Sequence, residues 1–203
     1  VFSHGQAAIR WQSTYFTVFL ASHGYIVASP DHEGGTLYDV LRGELAPVTA
    51  GLEARPQDVT YLANRLSRLP EGDPLEPLVD LSRFGVAGHS FGALTALRVA
   101  ALDKRIKAIV PQAPVSTDVA WVGFVPQPKL SMPVQIQGAH QDLTLGWDDN
   151  VAPTWAAQQR PRYLLDLVRG GHFTFSDLCQ FDLATLAEQV MLDVGGTDIK
   201  AVL

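Results

Sequence analysis

Gly88-His89-Ser90-Phe91-Gly92 lies between Arg83-Phe-Gly-Val-Ala87, which reads as a strand, and Ala93 to Leu102, which reads as a helix. No other feature narrows the fold as much. G-x-S-x-G in that context is a tight, strained turn that holds a serine hydroxyl out above the end of a sheet, with glycines giving clearance around it. A serine in an ordinary glycine-rich βα turn is the bland alternative, and the flanking strand and helix weigh against it.

The rest of the chain supplies the alternation such a turn requires. Val1-Phe2 reads as the tail of a buried strand running into the turn Ser3-His4-Gly5. Trp11 to Ala21 has apolar residues at helical spacing, with His23-Gly24 as a stop. Tyr25 to Ser29 is a short β-branched run bounded by Gly24 and Pro30, which suits a central parallel strand. Asp31 to Ala54 has few periodic apolar residues and reads as a long loop of the kind that shapes sites. Val59, Leu62, Leu66 and Leu69 predict an amphipathic helix from Pro56, a residue the first turn tolerates. Strands are expected at Ala108 to Val110, Val134 to Gln137 and Tyr163 to Val168, and a final helix at Leu183 to Leu192. Strand and helix in alternation predict an α/β chain with a mostly parallel sheet covered on both faces.

A serine is a weak nucleophile near neutral pH and needs a histidine base and an acid to orient it, in the chain order Ser, Asp, His. His172 follows the last predicted strand in Arg169-Gly-Gly-His-Phe173, where two glycines allow the loop to return over the strand ends. Asp142 follows the strand Val134 to Gln137 in a loop from which a carboxylate can reach the far side of that imidazole. Asp148 and Asp149 share the loop and Asp177 lies just past His172, so the acid stays open among them, with Asp142 best placed. The tetrahedral oxyanion needs two donors: the N–H of Phe91, directly after the serine, and one from the His4-Gly5-Gln6 turn.

Composition closes off other classes. The 203 residues fit one domain, and at 47% hydrophobic and 18% charged the chain is globular. A net charge of −6, with Lys and Arg scattered, gives no surface for nucleic acid. No apolar stretch reaches the ~20 residues of a bilayer-spanning helix. Cys179 is the only cysteine, which excludes an intrachain disulfide, and no zinc-ligand spacing is present. The chain starts at Val1 with neither Met nor a signal-peptide pattern, which reads as a processed or trimmed product. Its compartment stays open between secreted or periplasmic and cytoplasmic, and its oligomeric state is open as well.

Taken together, Ser3-His4-Gly5, Leu20 to His32, Arg55-Pro-Gln-Asp-Val59, Gly88 to Gly92 and Gly171 to Cys179 resemble the α/β-hydrolase superfamily. More narrowly, they are similar to the platelet-activating-factor acetylhydrolase and predicted dienelactone hydrolase group of serine esterases. The resemblance implies Ser90, Asp142 and His172 as a triad and the amides of Gln6 and Phe91 as the oxyanion hole. It also implies hydrolysis of a small-molecule or lipid-like ester without metal or organic cofactor. Ser90 stands where true dienelactone hydrolases carry cysteine, which sets that chemistry aside. The expected protein is a serine carboxylesterase for short or medium acyl esters. A lipase, chlorophyllase-like or polyester hydrolase remains open on the same triad, as does a non-catalytic binding protein. Trp121 and Phe124 are candidates for the substrate pocket and equally for the core. Residues 1–203 read as one α/β-hydrolase domain without the one or two antiparallel strands that usually precede the oxyanion turn, and therefore as either a minimal domain or an N-terminally truncated one. Its sheet would then carry an exposed edge.

Overall fold

The computed structural model describes residues 1–117 and 127–180. Five strands form one sheet in the order in which they occur: β1 (Phe2–Ser3), β2 (Gly85–His89), β3 (Ala108–Gln112), β4 (Val134–Ala139) and β5 (Arg162–Leu167). Every neighbouring pair is parallel. Because side chains alternate across a strand, Val86, Ile109, Val134 and Ile136 fall on one face, where they meet Leu97 and Val99 of α4 (Phe91–Leu102). Ala87 points the other way and pairs with Phe2, whose ring lies 5.9 Å from Phe16 of α1 (Thr14–Ser22). Helices therefore cover both faces.

Helix α4 has apolar residues all round, as a helix packed on two sides must. One side rests on the sheet, and α3 (Val48–Leu66) covers the other through Val59 and Ala63. Leu94 and Leu97 are fully buried, each contributing roughly 1.5–3 kcal/mol of transfer free energy. That burial anchors the helix whose first residue follows Ser90.

Several expectations need correction. Helix α1 begins at Thr14, not Trp11. Tyr25 to Ser29 is not a strand: one backbone bond, from Phe2 N–H to Ala28 O (2.9 Å), ties it to β1. Tyr25 and Ile26 are exposed, so their apolar character is not spent on a central position. The segment from Asp31 to Ala54 is not all loop. It holds α2 (Leu37–Arg42), started by a reciprocal Thr36–Asp39 capping box and stopped by Gly43 at φ 72°, and then the first turns of α3. Pro56 does not start its helix but sits inside it. The N–H it lacks would have bonded Leu52 O; that carbonyl instead accepts from Arg98 Nε of α4 at 3.1 Å. A π-helical turn, Trp147–Val151, running into α5 (Ala152–Ala157) was not expected at all. The helix expected at Leu183 to Leu192, and Trp121 and Phe124, lie outside the described residues.

Candidate active site

Ser90 joins β2 to α4 with φ 56° and ψ −120°, a region that costs a non-glycine residue about 1–3 kcal/mol. The surrounding backbone over-determines that conformation. Ser90 N–H donates to Gln112 O of β3 (2.9 Å), and Ser90 O accepts from Ala93 and Leu94. Gly88 and Gly92 let the backbones touch: a Cβ on Gly92 would stand 1.9 Å from Ser3 O, and one on Gly88 2.3 Å from Gly92 O. No side chain fits at either glycine, so the elbow is locked against β1.

His172 Nε2 lies 3.0 Å from Ser90 Oγ, and His172 Nδ1 lies 2.7 Å from Asp142 Oδ2. An ionised carboxylate only accepts, so Nδ1 carries the proton and Nε2 is left to accept from the serine. The other Asp142 oxygen accepts from the N–H groups of Thr144 (2.9 Å) and Leu145 (2.7 Å), which hold the carboxylate in the β4 loop. That loop and the one carrying His172 are tied by Gln141 N–H donating to Gly170 O (2.9 Å). Asp142 and His172 are both buried.

None of the other candidate carboxylates meets His172. Asp148 and Asp149 lie in the π-helical turn, and neither is a partner of His172. Asp177 instead caps α1, accepting from the N–H groups of Thr14 (2.7 Å) and Tyr15 (3.2 Å).

The turn after β1 lies against the serine, with a Cβ built on Gly5 falling 3.5 Å from Ser90 Cβ. Gly5 N–H donates to Gln12 Oε1 (2.7 Å) and Ala7 N–H to Gly35 O (3.0 Å). The Gln6 N–H between them bonds to no group among the described residues. The Phe91 N–H is at the first turn of α4, where helical N–H groups have no intrahelical partner.

Sequence reasoning passed over the polar residues beneath this site. Gln12 receives Gly5 N–H and hands its amide to His89 Nδ1, while His89 Nε2–H donates to His172 O (2.8 Å). Burial lowers the His89 pKa to about 3, with the His172 imidazole as a second cause, so its ring is neutral. Nothing in the spacing of Gln12 marks it. A second series, Ser3 Oγ to His32 Nε2 (2.8 Å) and His32 Nδ1 to Asp58 Oδ2 (2.7 Å), has the same residue types. Ser3 is in β1 and wholly buried, so its hydroxyl, unlike that of Ser90, is closed off from solvent. Among the described residues no cluster of His, Cys, Asp and Glu is arranged to hold a metal, and no helix is long and apolar enough to cross a membrane.

A parallel sheet with a serine elbow at the β2–α4 junction is the α/β-hydrolase fold. A model of the PET hydrolase-like family matches residues 2–187, and the chain belongs to that family. It is also 28% identical over 166 residues to platelet-activating factor acetylhydrolase of Cavia porcellus, covering 63% of this chain and 38% of that protein. With the same enzyme of Canis lupus familiaris it shares 27% over 145 residues, 53% of this chain and 32% of the relative. The chain thus spans about a third of the length of these relatives.

Proposed function

We propose that this chain is a serine carboxylesterase acting on short or medium acyl esters. The observation that carries the reading is the Ser90–His172–Asp142 series, at 3.0 and 2.7 Å, on a strained elbow. Ser90 Oγ attacks the ester carbonyl as His172 Nε2 takes its proton. Asp142 keeps the imidazole in the accepting tautomer and stabilises the imidazolium. The carbonyl oxygen becomes an oxyanion held by the N–H groups of Gln6 and Phe91, which are preorganised by the fold and have no reorganisation to undergo. The intermediate collapses, His172 returns the proton to the leaving alcohol, and an acyl-Ser90 ester remains. Water activated by the same imidazole then releases the acid.

Ester hydrolysis is supported by the relatives as well as by the site. The family is described as PET hydrolase-like and the two relatives are named acetylhydrolases, and the latter name favours a short acyl group. The test is treatment with a fluorophosphonate, followed by peptide mapping and p-nitrophenyl acetate hydrolysis. Ser90 alone among the ten serines is expected to be modified, and Ser90→Ala to lose labelling and turnover together. A folded Ser90→Ala that hydrolyses the ester at the wild-type rate would refute the mechanism, and unlabelled wild type without turnover would favour a non-catalytic binding protein.

A further inference from the structure

Arg55, on α3, is 1% exposed, and its guanidinium reaches the turn after β1. Nη1 donates to His4 O (2.7 Å), and Nη2 to Gln6 Oε1 (2.9 Å), Gly35 O (3.3 Å) and, at the limit of a hydrogen bond, Gly5 O (3.5 Å). Its carbon stands 4.5 Å from the centre of the Phe91 ring. No carboxylate pairs with it among the described residues, and the nearby Asp58 carboxylate instead meets His32. Burial lowers the pKa of the group to about 9, which leaves it charged at neutral pH. A buried cation hydrogen-bonded only to carbonyl groups, with the Asp58 carboxylate acting on it without direct contact, is expensive for a fold. Room is kept for it: a Cβ on Gly35 would stand 2.5 Å from Nη2, and one on Gly51 2.6 Å from the Phe91 ring.

The geometry of one peptide unit says what this arrangement accomplishes. Gly5 C=O and Gln6 N–H belong to the same planar trans peptide and point in opposite directions. Gly5 O accepts from two buried side chains, His4 Nδ1 (2.7 Å) and Arg55 Nη2. With the carbonyl held toward the interior, the Gln6 N–H is turned outward, in a turn that lies against Ser90. Arg55 therefore touches both residues assigned to the oxyanion, Gln6 through its side chain and Phe91 through its ring.

We propose that Arg55 is a positioning residue for the oxyanion hole, its buried guanidinium fixing the Gly5–Gln6 peptide and seating Phe91 so that both N–H groups converge beside Ser90. This rests on the esterase reading. Arg55→Met, Arg55→Lys, Gln6→Pro and the Arg55→Met/Gln6→Pro double variant are compared by circular dichroism, thermal melting and p-nitrophenyl butyrate kinetics. Rates are expressed per site titrated with fluorophosphonate, so that loss of folded protein does not count as loss of turnover. Arg55→Met is expected to lower kcat per site by about 10²-fold with little change in KM, the loss of one oxyanion donor. Arg55→Lys, a point charge without the fork, is expected to lose about tenfold. On a Gln6→Pro background, which already lacks the donor, Arg55→Met should cost far less than on wild type. Unchanged kcat per site in a folded Arg55→Met, or equal losses on both backgrounds, would overturn the proposal. If Arg55→Met does not fold, unchanged kcat per site in Arg55→Lys overturns it equally. Wild type that neither labels at Ser90 nor turns over removes the esterase reading, and this inference with it, before any variant is compared.

Discussion

The imidazole of His89 donates through Nε2 to the backbone carbonyl of His172 at 2.8 Å, so the residue before the serine holds the main chain of the residue facing it. Its other nitrogen accepts from Gln12, which in turn accepts from Gly5 N–H, and one buried series thus joins the turn after β1 to the backbone of His172. Removing its middle member leaves buried donors and acceptors without partners. His89→Ala is therefore expected to lose at least about 1–3 kcal/mol of stability in urea unfolding, and to lower kcat/KM because the His172 backbone is freed. An unchanged unfolding midpoint would show that the series carries no stability.

Buried neutral histidines also predict how stability depends on pH. Burial lowers His4 and His89 to about 3 and also lowers His32, whereas in the unfolded chain each has the ordinary value near 6.5. Between those values the unfolded state binds more protons than the folded one, so stability rises with pH and is lost as pH falls from about 6.5 toward 3. Each histidine contributes at most about 1.4 kcal/mol per pH unit in that window. Melting temperature is expected to fall steeply below pH 6.5, and His89→Gln to make the dependence shallower. Identical slopes for the two proteins would mean that His89 does not enter the acid transition.

Asp142 is the acid in the proposed mechanism, and its neighbours provide the control. Asp142→Asn is expected to lower kcat by about 10⁴-fold, since an amide in place of the carboxylate favours the wrong imidazole tautomer. Asp148→Asn and Asp149→Asn should change kcat little, because neither carboxylate bonds to His172. A larger loss from either control would move the acid role out of Asp142.

The elbow glycines are expected to be intolerant for a reason separate from catalysis. Gly92→Ala places a Cβ 1.9 Å from the carbonyl oxygen of Ser3, and neither partner is a side chain that can swing aside. Overpacking costs typically about 1–3 kcal/mol, and a collision with backbone at this distance belongs at or beyond the upper end. Melting of Gly92→Ala beside Gly43→Ala separates collision from loss of flexibility, because a Cβ on Gly43 meets nothing within 4 Å but stands at φ 72°. Equal melting losses would mean that β1 and α4 part at no greater cost than that of one alanine at positive φ.

The chain by itself determined what depends on neighbours along the backbone. The strand, the Gly88 to Gly92 turn and the following helix were legible because burial pattern and turn chemistry are local, and so was the order of Ser90, Asp142 and His172 after the ends of β2, β4 and β5. Tyr25 to Ser29 misled because an apolar run predicts burial only if something packs on its far side, and one backbone bond to β1 is what the described residues supply. Pro56 misled because an interior proline is tolerated when another helix fills the vacant acceptor, as Arg98 of α4 does for Leu52 O. Only the tertiary structure decided which carboxylate meets His172, since three aspartates in one loop differ in direction and not in sequence position. It also decided the role of the buried polar residues. Arg55 stands just outside the helix expected from Pro56, and no local pattern marks its partners, which include carbonyls of a turn about 50 residues away, brought within reach by the packing of α3 on α4.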